Sequence, residues 1–541
     1  MRTSPCLLRG SFLLAFASSL ALVACNGGGT NSTDLFDETL AQGGTPATGG
    51  AGGTGGKGGA GGATTGTGGT GAGTGTISGE VDTPDNPTLI DAGGVSITQI
   101  SLYQGVKTVL MEGGLPGDGS IPVVAGRDAM MRVWVALDGN YNGKPVIGRL
   151  RIQGVDGAIQ VIGGVNGTPI ENDLGSTFNF PIPGDKIKPG FSYRVELLQL
   201  EFDTKNPSAA AHYPGKGYAA TNAVSVGEML KVVLVPIRYG GDGSNRLPDT
   251  SEATVQGYKD WIYGMYPAPK VEVTVREPVD FKQEVSPFGG GWENLLGYVG
   301  QVRQQDNAAF DVYYYGIFAP AQSMGQFCGG GCVAGLGNLG GPGDAYSRAA
   351  IGLGFPDGAQ MAWETAVHEI GHTHGRQHSP CGGAAGADPN YPHPNAATGV
   401  WGYDLVTQKL FDPAAFKDVM SYCYPIWVSD FTYVGFLERI KAVNMANIVI
   451  PPEMMNLTYD RAWVDGEGEM HWLPSLKMER PPMGEPVDLD VEAEGGAYLV
   501  SGHFYPYDHL PGGVFVWPQA GAPSSSVTIE WKGAVRTLLA Q

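Results

Sequence analysis

The chain has 541 residues, 42% of them hydrophobic, with a formal net charge of −20 and a pI near 4.8. That length allows several domains, each with its own core. So acidic a balance lacks the basic patches that nucleic-acid binding requires and suits a soluble extracytoplasmic protein.

Residues 1–24 read as an export signal. Arg2 and Arg9 precede an apolar run ending at Ala24 that is too short and too rich in small residues for a membrane span. The run closes on Leu22-Val23-Ala24-Cys25, which resembles the bacterial lipobox. That resemblance implies lipidation of Cys25 and attachment to a lipid bilayer. With Asn26 rather than Asp next, the outer membrane or cell surface is favoured. An ordinary signal peptide, cut after a small residue and leaving a secreted protein, is the other reading. Residues 25–76 are almost all Gly, Thr, Ala and Ser, a composition that cannot bury enough apolar surface to order itself. They are expected to form a flexible tether, with a root-mean-square span of about 40 Å for fifty such residues.

Residues 77–228 alternate apolar and polar positions in Met131–Leu137, Leu150–Ile152, Phe178–Phe180 and Tyr193–Leu197, with Gly, Pro, Asn and Asp clusters between. Short strands separated by such turns predict an Ig-like β-sandwich. It holds no catalytic cluster. A removed propeptide, a substrate-presenting domain and a stability module are all open readings, and no Cys-Gly latency motif precedes the next domain.

The pattern changes over 229–450. Strands are expected at Lys231–Ile237, Lys270–Val275 and Phe310–Phe318, and near Val333–Leu336 and Ala350–Gly354. Helices are expected at Ser251–Tyr266, opened by what looks like a capping box at Asp249-Thr250-Ser251-Glu252, and at about Trp292–Gln305. Alternating strands and helices imply an α/β sheet packed by helices.

A third helix then carries His368-Glu369-Ile370-Gly371-His372-Thr373-His374-Gly375-Arg376-Gln377-His378. Residues four apart leave one helix face together, so His368 and His372 can grip one metal ion. Glu369 places a carboxylate where it can take a proton from bound water. Gly375 allows the chain to turn so that His378 returns as a third ligand. Three imidazoles and a free position describe a catalytic zinc site, expected to hold one Zn2+. His374 lies on the opposite face and is excluded from the ligand set.

This extended motif, followed by Asp418-Val419-Met420-Ser421-Tyr422-Cys423, resembles the metzincin metalloproteases. The resemblance covers roughly 230–450 and implies a multidomain protein whose α/β (α+β) metzincin catalytic domain is flanked by N- and C-terminal β-sandwich domains. It also implies that Met420 lies beneath the imidazoles as a floor, and that Tyr422 supplies a phenol near the metal as a fifth ligand or an oxyanion donor. Ser379 after the third histidine is a matrixin feature, whereas Tyr422 is not. The connection from Cys381 to Lys417 is more like that of bacterial mucin-cleaving secreted metzincins.

With Cys25 lipidated, Cys328, Cys332, Cys381 and Cys423 remain, an even number that suggests two disulfides and leaves three connectivities open. In a metzincin fold Cys381 and Cys423 would come close, leaving Cys328 to pair with Cys332; a second metal site is the other reading. Residues 451–541 alternate again and predict a small C-terminal β-sandwich. Within it Asp465-Gly466-Glu467-Gly468-Glu469 reads as an acidic hairpin turn, with Ca2+ a possible but unsupported occupant.

The expected function is a zinc-dependent endopeptidase acting on extracellular proteins or glycoproteins with Glu369 as general base, and with the Gly-rich segment 331–341 pairing with the substrate backbone. The alternative is a surface-anchored adhesin or binding lipoprotein on a non-catalytic metzincin scaffold. Oligomeric state and substrate are not legible.

Overall fold

The computed structural model describes residues 76–78, 88–163, 167–445 and 450–540. The expected signal, Cys25 and the tether up to Gly75 lie outside the described residues. The protein is multidomain and rich in β-structure, with the described residues up to Ser225 in one compact unit and those from Val226 onward in another.

In the first unit, two antiparallel sheets face each other. One contains Ile159–Gly163, Val146–Ile152 and Ser192–Leu200; the other contains Gly105–Glu112, Val95–Tyr103, Ala129–Leu137 and Phe178–Ile182. Ile100, Val133 and Phe180 from one meet Leu150, Val195 and Leu197 from the other in a shared core, as the period-two pattern requires.

The second unit begins with β1 (Leu230–Tyr239), α1 (Glu252–Met265), β2 (Val271–Val275), α2 (Trp292–Gln305), β3 (Val312–Phe318), β4 (Gly335–Gly337), β5 (Ala349–Leu353) and α3 (Ala359–Thr373). The sheet order is β2-β1-β3-β5-β4, parallel except for β4, which runs antiparallel to β5 at the edge. The continuous apolar run of β3 follows from burial on both faces. Tyr313 stacks on His374 and Tyr315 packs near Tyr258 on one side, while Phe318 meets Trp292 of α2 on the other. Ser251 stands at the N-cap of α1 but makes no side-chain cap hydrogen bond. Instead Asp249, two residues earlier, accepts from Ser251 N and from the hydroxyls of Ser251 and Thr254, because it reaches the first turn from outside the helix.

Helix α4 (Asp430–Met445) leads into β6 (Leu457–Val464), β7 (Met470–Met478), β8 (Glu485–Ala493), β9 (Gly496–Pro506), β10 (Gly513–Pro518), β11 (Ser526–Trp531) and β12 (Ala534–Leu539). Where a sandwich was expected, these form one sheet of seven strands in the order β7-β6-β10-β9-β8-β11-β12. It curls until Trp472 Nε1 on one edge strand donates to Leu539 O on the other at 2.9 Å. Phe515 and Trp517 fill its interior with Leu489. Val514, Val516, Leu473 and Leu476 face the other way and share a core with Leu295 and Trp292 of α2. The C-terminal strands are therefore packed into the same unit as the motif helix. The acidic turn 465–469 is a hairpin in which Asp465 Oδ1 accepts from Glu467 N and Glu469 N, and it is not among the potential metal-binding clusters of the described residues.

Candidate metal centre

Helix α3 lies beneath edge strand β4 so closely that a Cβ on Gly335 would sit 2.4 Å from Glu369 Oε1, and one on Gly337 2.8 Å from Glu369 O. Glycine is thus required on the strand to let it approach the helix. At the other end Gly375, with φ 76°, turns the chain out of the helix, and Arg376 N returns to Gly371 O at 3.1 Å. The turn brings the His378 ring within 5.3 Å of His368 and 4.7 Å of His372, centroid to centroid.

Each of the three rings is oriented by a backbone carbonyl. His368 Nδ1 donates to Val419 O at 2.7 Å, His372 Nδ1 to Arg376 O at 2.6 Å and His378 Nδ1 to Ala385 O at 2.6 Å. A carbonyl only accepts, so each Nδ1 carries the proton and each neutral ring turns an Nε2 lone pair inward. Burial keeps His368 well below the ordinary histidine pKa, and burial, together with the neighbouring imidazoles, holds His378 at about 3. His368 Nε2 and His372 Nε2 face each other at 3.1 Å, and buried His378 Nε2 has no hydrogen-bond partner. Converging lone pairs without a proton between them repel, and a cation relieves that repulsion. The donor set fits a metal ion, and imidazole nitrogen suits zinc.

Glu369 is 1% exposed, and burial followed by the charge of Asp508 raises its pKa well above the usual carboxylate range. His374 points away from this centre, as its place on the helix requires. It donates from Nδ1 to Ile370 O at 2.8 Å and stacks on Tyr313 at 4.4 Å.

Below the rings Met420 is fully buried against Gly371. Its turn is held by Asp418, which accepts from Ser379 Oγ, Met420 N, Thr432 Oγ1 and Ser429 N. Cys381 and Cys423 form a disulfide, as do Cys328 and Cys332. The first joins the segment after His378 to the Met420 turn. It places the Tyr422 ring 4.8 Å from that of His378.

Two residues absent from the sequence-based set enter the centre from the β9–β10 connection. Asp508 Oδ2 lies 3.0 Å from His372 Nε2, and His509 Nε2 lies 3.0 Å from Glu369 Oε1. The Tyr422 hydroxyl hydrogen-bonds His509 Nδ1. His368, His372, His378 and His509 each offer a nitrogen, and these four nitrogens all lie within 4.8 Å of one another.

Residues 337–424 match the Peptidase M66 family. The chain thus carries a peptidase region, which spans all three histidines, Glu369, Met420 and Tyr422 but stops short of Asp508 and His509. No curated protein matches the chain. In this peptidase region, sequence pattern marks residues that are neighbours on one helix or follow it closely. The only sign of His509 was a histidine beside an aspartate in a polar turn, which no local periodicity distinguishes.

Proposed function

We propose that the protein is a zinc-dependent endopeptidase of the metzincin type. The observation that carries this reading is the convergence of three neutral, carbonyl-oriented Nε2 lone pairs beside the carboxylate of Glu369. The Peptidase M66 match over the same residues supports it. When bound, zinc supplies a Lewis acid that makes water nucleophilic near neutral pH and polarises a carbonyl. His368, His372 and His378 hold the ion through nitrogens whose direction the backbone fixes. Glu369 takes the proton of the attacking water at its carboxylate and delivers it to the leaving amine. Tyr422, kept protonated by burial, donates its phenolic hydrogen to the developing oxyanion. Edge strand β4 hydrogen-bonds the backbone of an extended substrate, as strand addition does elsewhere.

The substrates of this reading are extracellular proteins or glycoproteins, reached by an enzyme exported and tethered through lipidated Cys25. The test is cleavage of a protein panel, mucin-type glycoproteins included, by wild type and Glu369→Ala, before and after limited proteolysis, with zinc measured in both. Cleavage that disappears in the variant while zinc stays supports the proposal. A chain that binds zinc and cuts nothing under either condition, with Asp508 and His509 intact and with both replaced by alanine, favours the binding-lipoprotein alternative.

A further inference from the structure

The connection between β9 and β10 is a short turn closed by Tyr507 N donating to Gly512 O at 3.2 Å. Its tip touches every part a substrate would need. Tyr507 forms an antiparallel bridge with Asn338, directly beyond edge strand β4. Gly337 N donates to Asp508 Oδ1 at 3.2 Å, while Asp508 Oδ2 faces His372 Nε2 at 3.0 Å and has no hydrogen-bond partner. His509 engages the base Glu369 through Nε2 and the Tyr422 hydroxyl through Nδ1, and its ring lies parallel to that of Tyr422 at 5.3 Å. Leu510 fills the space over Gly289, where a Cβ would lie 2.5 Å from Leu510 Cδ2.

We propose that the Tyr507–Leu510 turn is an intramolecular plug: it lies in the substrate cleft as a strand-like mimic, with Asp508 and His509 occupying the open side of the metal centre and closing it. The proposal rests on the zinc-peptidase reading. A catalytic zinc site keeps one position for water or substrate, whereas four protein donors make a closed, inert one. Here the fourth donor comes from a sheet that packs on α2, and with it in place the general base and all three ligands are buried. One turn uses the edge strand, the base, the oxyanion donor and the open coordination side together, so chain and substrate cannot occupy the cleft at once. The chain as folded is therefore latent, and withdrawal of this turn activates it.

The experiment uses the full chain with Co2+ in place of zinc, in wild type and in the Asp508→Ala/His509→Ala double variant. Acetohydroxamate, a small bidentate metal ligand, is expected to leave the visible absorption of wild type unchanged and to shift that of the variant. A chelator should strip the metal from the variant at least about tenfold faster, and cleavage of an unfolded protein substrate should rise by about tenfold or more. The proposal is overturned if acetohydroxamate shifts the wild-type spectrum. It is equally overturned if the variant holds metal yet cleaves no faster than wild type, and in both cases the zinc-peptidase reading stands. If neither protein binds metal, that reading falls and takes the plug with it. Should the double variant not fold, the wild-type spectrum with and without acetohydroxamate decides by itself.

Discussion

Gly371 and Met420 are in contact across the floor of the metal centre: a Cβ on Gly371 would lie 2.5 Å from Met420 Sδ and 3.1 Å from its Cε. The glycine between the two helical ligands is thus a packing requirement. Gly371→Ala should force the methionine or the helix to move, costing about 1–3 kcal/mol and weakening metal binding through displacement of His368 and His372. Thermal melts and zinc content per chain, compared with Gly371→Ala/Met420→Ala, check this. Truncating the methionine should restore part of both losses.

Asp418 is fully buried and accepts four hydrogen bonds, two from backbone N–H groups and two from hydroxyls. Removing the carboxylate leaves those donors unsatisfied in a site closed to water. Asp418→Ala is expected to destabilise the protein by about 3 kcal/mol or more, with Asp418→Asn intermediate. Urea denaturation measures the difference.

The Cys381–Cys423 disulfide spans 42 positions and the Cys328–Cys332 disulfide only 4. In the chain-entropy description the first contributes about 4 kcal/mol and the second about 2. Replacing Cys381 and Cys423 by serine should lower the melting temperature more than replacing Cys328 and Cys332. It should also loosen Tyr422, which the longer loop positions. Equal losses for the two pairs would argue against that account.

Arg276 and Asp306 pair through two bonds, Nε to Oδ2 at 2.8 Å and Nη2 to Oδ1 at 2.9 Å, and Tyr314 adds a third at 3.0 Å. The Arg276 bond is the main reason the Asp306 pKa is depressed. A carboxylate with a lowered folded-state pKa stabilises the fold above its unfolded value, near 3.9, and this contribution is lost as pH falls through the folded pKa. Asp306→Asn should cost about 1–2 kcal/mol at pH 7. The gap between variant and wild type should narrow below about pH 4, as read from denaturation curves across that range. A gap independent of pH would show that packing, not charge, is lost.

Much of the local structure was legible because it repeats. The four-residue spacing of His368 and His372 needs only helix geometry, and the uninterrupted apolar run of β3 already signalled burial on both faces. What escaped depends on contacts between distant segments. His509 lies 140 residues past Glu369 and, like Asp508 beside it, follows no repeat, so only the packing of the β7, β6 and β10 strands on α2 delivers the pair to the centre. The same packing explains why a free-standing sandwich was expected at 451–541: alternation reveals one buried face, whereas Val514–Trp517 is buried throughout.

In the proposed function His368, His372 and His378 hold one zinc ion that the peptidase reaction requires. This is tested most directly by titrating the metal-stripped chain with zinc in a calorimeter, alongside His372→Ala and Glu369→Ala, and assaying cleavage at each step with the β9–β10 turn intact and with Asp508 and His509 replaced by alanine. One tight zinc per chain is expected in wild type and Glu369→Ala, its loss in His372→Ala, and cleavage that appears only with zinc and only where Glu369 is present. Tight zinc binding that survives His372→Ala, or cleavage by the metal-stripped chain, would contradict that function.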